Sequence, residues 1–335
     1  MTFGGAGFFA KTGSSDVTEA RRLIDICRDA GINLIDTADV YSKGLSEEIC
    51  GAALDGARQD MMVATKARFP MGDGPNDRGL SRRHLIASCE ASLRRLRRDH
   101  IDLYQLHEWD GQTPLEETME ALDTLQRSGK VRYVGCSNFS GWHIMKAMGI
   151  SERAGSARLI SQQIYYSLQG REVEYELLPI SLDQGLGVLV WSPLAGGLLT
   201  GKYRRGKPQP DSGRHLQNWG EPPLYDEAKL YDTIEVLVEI AEARKVPAAQ
   251  VAMAWSLGRP AITSLVIGVR NEAQLKANLP AVDLKLTAEE RGKLDAVSAP
   301  TLIYPYWHQA STARDRLGAA DLALLEPFVR GEARF

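Results

Sequence analysis

"GINLIDTADVYSKG", residues 31–44, decides the fold. Gly31 closes a helical pattern, a short apolar run follows, and the run ends on Asp36. A turn then carries Tyr41 into the next helical stretch. Asp16 or Thr18 can cap the preceding helix "EARRLIDICRDAG", and Gly31 suits its end. This is one helix–strand–helix step, and the chain repeats it.

Further apolar runs are "MMVATKA" (61–67), "IDLYQLHEWD" (101–110), "VRYVGCSN" (131–138), "LISQQIYYSL" (159–168), "LGVLVWSPL" (186–194) and "SLVIGV" (264–269). With "INLIDTA" (32–38) they make seven. Each is too short for a helix and too apolar on both faces for an edge strand, which is how buried parallel strands read. Helical patterns lie between them. In "TPLEETMEALDTLQRSGK", Thr113 is read as the cap, Pro114 as the first helical residue and Gly129 as the stop. "SRRHLIASCEASLRRL" and "REVEYELLPISLDQG" repeat the scheme. Such a run closes most easily as a (β/α)8 TIM barrel, expected as a single domain over 1–335. Helices at 287–298 and 311–331 fall outside the repeat. Before Asp16 there is too little chain for a full first strand, so that strand is expected either truncated or upstream of Met1. The long connection at 198–227 reads as a functional loop.

Of 335 residues, 44% are hydrophobic and 25% charged, and the net charge is −3. That balance points to a globular chain and away from nucleic acid or an anionic membrane. The basic run "RRLRR" (94–98) reads as a solvated helix face. Cys27, Cys50, Cys89 and Cys136 form no CxxC pair, so neither a disulfide framework nor a zinc ribbon is expected. No signal-peptide pattern and no apolar run of ~20 residues is present. The expectation is a cytoplasmic protein without a membrane partner. Oligomeric state is not legible.

Barrel active sites gather at the C-terminal strand ends. The polar residues there are Asp36, Lys66, His107 with Asp110, Ser137 with Asn138, Gln163, Trp191 with Ser192, and Arg270. Asp36 and Lys66 come from consecutive strands and can neutralise each other, as buried charges must. Tyr41 sits one turn beyond. A nearby ammonium favours the phenolate and makes the phenol a stronger acid, able to protonate a carbonyl oxygen. His107 could orient that oxygen. Singly, these residues read as a turn aspartate, a surface lysine and a core histidine. Three strand ends carrying matching charges reverse that reading. "GGLLTGKY" (196–203) matches most of a phosphate-binding loop, but Tyr203 stands where Ser or Thr must hold Mg2+. "GCSNF" lacks the second glycine of a nucleophile elbow. No second strand-end histidine joins His107, so no metal is expected.

"GINLIDTADVYSKGLSEEICGAAL", "VATKARF", "DHIDLYQLHEWD", "GKVRYVGCSNFS", "QIYYSL", "LVWSPLAGGLLTGKY" and "VIGVRNEAQLKANL" together resemble the aldo-keto reductase family, in order, from about residue 16 to about 298. The resemblance implies a catalytic tetrad of Asp36, Tyr41, Lys66 and His107. It implies NADPH, with NADH as the alternative, across the barrel mouth. Ser137, Asn138 and Gln163 would hold the carboxamide, and Trp191 would stack on the nicotinamide. Ser192, Leu194, Gly196, Leu198 and Lys202 would follow the pyrophosphate. Gly268, Arg270, Gln274 and Asn278 would face the adenosine end. Arg270 precedes a helix and could bind a 2′-phosphate, provided Glu272 points away. "YSKG" replaces the family's commoner "YG", and Glu108 in "LHEWD" stands where a smaller residue is common. Trp109 is the candidate substrate residue, in an aromatic set with Trp219, Tyr304, Tyr306 and Trp307.

The implied function is reduction of a small aldehyde or ketone to an alcohol, with Tyr41 as proton donor. Two alternatives stand beside it. One is a nucleotide-binding regulatory subunit like channel β-subunits, and the other is an NAD-linked alcohol dehydrogenase.

Overall fold

The computed structural model describes residues 3–5, 15–56, 60–208 and 222–329. Helices and strands alternate from the start: α1 (Val17–Asp29), β1 (Leu34–Asp36), α2 (Leu45–Ala53), β2 (Met62–Ala67), α3 (Arg82–Leu96), β3 (Ile101–Leu106), α4 (Leu115–Arg127), β4 (Val131–Ser137), α5 (Gly141–Ala154) and β5 (Leu159–Tyr165). Then come α6 (Leu177–Gln184), β6 (Gly187–Trp191), α7 (Glu227–Arg244), α8 (Ala248–Leu257), β7 (Ile262–Val266) and α9 (Glu272–Asn278). The chain closes with α10 (Ala288–Val297), α11 (Tyr306–Thr312) and α12 (Ala319–Leu325). The strands form one sheet in the order β1-β2-β3-β4-β5-β6-β7. Chain order without a switch is the βα repeat of the (β/α)8 fold, and the expected fold class stands.

Contacts divide the chain into two compact units. The first comprises Met1–Gln163 and Val266–Leu279. Its strands run parallel with Ile35 opposite Val63, Ala64 opposite Leu103, and Ser137 opposite Gln163. The β4–β5 register shifts between Val134 and Gly135. Gly135 is needed there, since a Cβ would lie 2.5 Å from Ser161 Oγ. The helices carry the caps their sequences call for. Asp16 accepts from the Glu19 amide at α1, and Ser81 caps α3.

The second unit comprises Ile164–Leu265 and Pro280–Phe335. Its core gathers Val188 and Val190 of β6, Ile234 and Leu237 of α7, and Trp255 of α8. Helix α8, "AAQVAMAWSL", is buried from Ala248 through Ser256, which its charge-free sequence allows.

Several expectations are corrected. Thr113 is not a cap: its hydroxyl donates to Asp110 Oδ2, and Pro114 occupies the N-cap of α4. Strands β3 and β5 stop at Leu106 and Tyr165: His107 follows β3 outside the strand, and beyond β5 a tight turn is closed by the Ser167–Gly170 bridge. Helix α6 starts at Leu177, after a separate 3-10 turn at Glu172–Glu174. The helix read at 311–331 is two short ones, α11 and α12, interrupted at 313–318. Strand β7 stands last in the sheet order, and Thr263 and Ser264 are exposed, so it is not buried on both faces. Arg95 is no solvated residue: its Nε donates to the fully buried Glu47 at 2.7 Å.

Candidate active site

The first unit assembles the four residues of interest. Lys66 comes from β2, whose last five residues are all buried, and its ammonium is fully enclosed. It donates to Asp36 Oδ2 at 2.7 Å and to the Thr37 carbonyl at 2.8 Å. The other Asp36 oxygen accepts from Gln105 Nε2 at 3.2 Å and from Gln163 Nε2 at 2.8 Å. Two closed oxygens and an opposed charge make this burial tolerable. Although burial acts against it, the partners hold Asp36 below its ordinary value. Lys66 is likewise held above its own, as Asp36 and Tyr41 outweigh burial.

Tyr41 opens a 3-10 turn directly after β1, its amide donating to Ala38 O. Ser42, Lys43 and Gly44 follow in left-handed conformation. Two of these are not glycine, and each costs of order 1 kcal/mol that the surroundings must hold in place. Ser42 Oγ donates to the Phe3 carbonyl at 3.1 Å and accepts from the Gly5 amide at 3.1 Å. The "YSKG" sequence is thus fixed by residues 3–5. The Lys66 ammonium lies 5.1 Å from the Tyr41 ring centre and hydrogen-bonds the phenol. One expectation changes sign here. Burial raises the Tyr41 phenol above its ordinary value; Lys66 pulls it down but does not prevail, and Asp36 adds to the rise.

His107 lies one residue past β3 and is 8% exposed. Its amide donates to Ala67 O and its carbonyl accepts from Asn138 Nδ2, so the backbone is held from both sides. The ring meets Tyr41 edge-on at 5.6 Å and Phe69 at 4.8 Å. Its buried Nδ1 has no hydrogen-bond partner. Burial first, then the Lys66 charge, push the imidazole down to about 3. The ring is therefore neutral near pH 7, with one nitrogen protonated and able to donate a hydrogen bond.

Around this group, Ser137 Oγ donates to Gln163 O, and Asn138 adopts a left-handed conformation. Gln163 differs from expectation in that its amide nitrogen is directed to Asp36, which leaves its oxygen for other partners. Asp110 organises a turn, accepting from Leu80 N, Gln112 N and Thr113 Oγ1, and takes no part in the cluster. Glu108 accepts from the Trp109 amide. Trp109 stacks on His143 at 3.7 Å, with Phe139 edge-on at 5.3 Å. Arg270 and Gly268 are exposed, and the Arg270 amide donates to Gln274 Oε1. Asn271 caps α9, which ends on Asn278. Glu272 is engaged by Arg22 and Lys276.

In the second unit, Trp191 ends β6 and lies against Tyr165, ring centres 5.0 Å apart. Ser192, Ala195, Gly196, Gly197 and Gly201 all have positive φ. The Gly196 amide goes to Ser192 Oγ and the neighbouring Gly197 amide to Leu194 O, so one of the expected pyrophosphate donors, Gly196, is used inside the turn. Leu198 is buried, and Lys202 lies over the Tyr203 ring. Tyr306 stacks on Tyr175, while Tyr304 and Trp307 are exposed. Trp219 lies outside the described residues.

Sequence reading missed Gln105, Asp39 and Glu47. All three are fully buried polar residues, and Gln105 stands in the wholly buried stretch Leu103–Leu106 of β3. A polar side chain within a buried run was the available signal.

A buried lysine–carboxylate pair thus lies against a tyrosine at the C-terminal strand ends of a βα repeat. Comparison with known proteins specifies the class. The description "Aldo/keto reductase family" matches residues 1–299, and the chain belongs to that family, whose members are NAD(P)H-linked oxidoreductases. A rice protein described as "Probable voltage-gated potassium channel subunit beta" is 40% identical over 291 residues, covering 84% of this chain and 88% of the relative. The Bacillus subtilis (strain 168) "Uncharacterized oxidoreductase YrpG" is 41% identical over 286 residues, 82% of this chain and 85% of its own. The "Versiconal hemiacetal acetate reductase" of Aspergillus parasiticus is 34% identical over 310 residues, 86% and 89%. No helix among the described residues is long and apolar enough to cross a membrane.

Proposed function

We propose that this chain is an NADPH-dependent reductase of a small aldehyde or ketone, with Tyr41 as proton donor. The observation that carries the reading is the Asp36–Lys66 pair, closed at 2.7 Å with the Tyr41 phenol against its ammonium. When bound, the reduced nicotinamide supplies a hydride to the carbonyl carbon. Tyr41 gives its proton to the oxygen that gains charge. Lys66 lies beside the phenolate this leaves and lowers its cost. Asp36 keeps Lys66 charged and in place. The neutral His107 ring donates a hydrogen bond that orients the carbonyl oxygen. In the first unit, the orphaned Nδ1 of His107 fits a site that receives a further polar group.

For the nucleotide, Ser137, Asn138 and the Gln163 oxygen would hold the carboxamide, and Trp191 would stack on the ring. Ser192, Leu194, Gly196, Leu198 and Lys202 would follow the pyrophosphate. Gly268, Arg270, Gln274 and Asn278 would take the adenosine end. NADPH is preferred to NADH because Glu272, the carboxylate nearest Arg270 in sequence, is engaged by Arg22 and Lys276 and need not oppose a 2′-phosphate. Trp109 would meet the substrate.

A carbonyl panel assayed with NADPH and NADH side by side tests the reading. Turnover with NADPH supports it, and equal use of both cofactors favours the NAD-linked dehydrogenase. A second reading is favoured by the rice relative's name: a nucleotide-binding subunit of a channel. Tight NADPH binding with negligible turnover on every carbonyl, together with a stable membrane partner, would select it.

A further inference from the structure

Asp39 lies between the two acid–base clusters of the first unit, and neither cluster uses it. It is fully buried, and neither of its carboxyl oxygens makes a hydrogen bond of full geometry, although the Val40 amide lies beside it. Its amide donates to the Lys66 carbonyl at 3.1 Å, which fixes its backbone to β2 beside the site. The charged and titratable groups facing it come from five directions. These are Lys66 on β2, Glu47 on α2, Arg95 on α3, Tyr41 in the turn after β1, and Tyr104 on β3. Both cations are already engaged, Lys66 by Asp36 and Arg95 by Glu47, each at 2.7 Å. Thr65 Oγ1 also donates to Glu47, so that carboxylate is closed without Asp39. A third ionised carboxylate in this space would have no countercharge of its own.

We propose that Asp39 works as a neutral carboxylic acid, a positioning residue whose retained proton leaves the Lys66 field at Tyr41 undivided and whose ionisation in alkali slows the proton transfer. The slowing half rests on the reductase reading; the neutral half does not. Burial, with Glu47 adding to it, pushes the Asp39 carboxyl up to about 8. Below that pH the site holds two balanced pairs. Above it, Asp39 releases its proton to solvent. Its new charge disfavours the Tyr41 phenolate that proton donation must leave behind.

Stability gives a readout free of activity. A carboxyl raised on folding binds more protons in the native than in the unfolded chain between about 4 and about 8, so its contribution falls as pH rises through that window. Against Asp39→Asn, the wild-type folding equilibrium constant should therefore drop with pH, by up to about tenfold per unit.

The test has three arms on the full-length chain. In pH–rate profiles of kcat/KM with NADPH, D39N should stay within about threefold of wild type near pH 6 and exceed it by roughly tenfold near pH 9, where a group titrating near 8 is about nine-tenths ionised. Denaturation across the same pH range should show the falling ratio. A 13C-carboxyl titration of the wild type, aspartates labelled, should find one aspartate protonated above pH 7, and it decides the matter even if D39N fails to fold. Coincident pH–rate profiles, a pH-independent stability ratio, or no aspartate titrating above about pH 6 would each overturn the assignment. Absence of turnover at every pH would count against the reductase reading alone, since the carboxyl titration and the stability ratio would still report on Asp39.

Discussion

Lys66 is the residue on which most of the site depends. It closes Asp36, abuts Tyr41 and depresses His107. Lys66→Met should leave Asp36 without its countercharge and cost about 3–5 kcal/mol, the scale for half of a broken buried pair. The sign of the pH dependence follows from the two shifts. Asp36 is depressed, so its contribution is present above the ordinary carboxylate range and lost as pH falls. Lys66 is raised, so its contribution is present below the ordinary lysine value and lost as pH rises. Wild type should thus outrun the variant in stability most between about pH 5 and 9 in chemical denaturation. A gap that stays constant outside that window would contradict the pairing. Asp36 and Lys66 were legible because strand-end charges on neighbouring strands must meet. The rise of the Tyr41 phenol was not legible, because a sequence shows which cation is near and not how completely water is excluded. Arg270 sits on an exposed turn where sequence and structure give the same picture. Arg270→Ala should weaken NADPH by about 1.5–3 kcal/mol and leave NADH nearly unchanged, by titration of both.

Among the elements, α2 and α3 set the wall behind the site. Gly51 of α2 approaches the end of α3 so closely that a Cβ would lie 2.5 Å from Arg95 O and 2.7 Å from Leu96 C. Both are backbone atoms and cannot rotate away. Gly51→Ala should cost about 1–3 kcal/mol, the range for overpacking. Thermal unfolding checks this, and an unchanged midpoint would show that the helices can part freely. The βα order was legible from seven short apolar runs between capped helices. Element ends were less so. Thr113 turned out to serve Asp110, a choice between two local partners that sequence cannot rank. Two helices, α7 and α8, lie between β6 and β7 where sequence analysis assigned none. Helix α8 has no polar face to mark its period.

For the molecule as a whole, the second unit has its own buried ionic centre. Arg171 forks onto Glu174 at 2.8 and 3.0 Å, Tyr166 donates to the same carboxylate, and Arg259 lies 3.5 Å away. Trp255 lies against both guanidinium groups and donates to Asp295 of α10. This network ties the 172–174 turn and α8 to α10, and it is invisible in sequence because its three segments, around residues 166–174, 255–259 and 295, are far apart in the chain. Glu174→Ala should take from Arg171 its bidentate partner, leaving Asp295 as the carboxylate beside both guanidinium groups, and lower stability by up to about 3–5 kcal/mol. Its central claim remains chemical: that Tyr41 delivers the proton. Tyr41→Phe keeps the ring and removes the donor, so the direct measurement is kcat for carbonyl reduction beside NADPH affinity in the same variant. The account predicts affinity within a few-fold of wild type and kcat lower by at least ~10²-fold; near-normal turnover by the phenylalanine variant would contradict it.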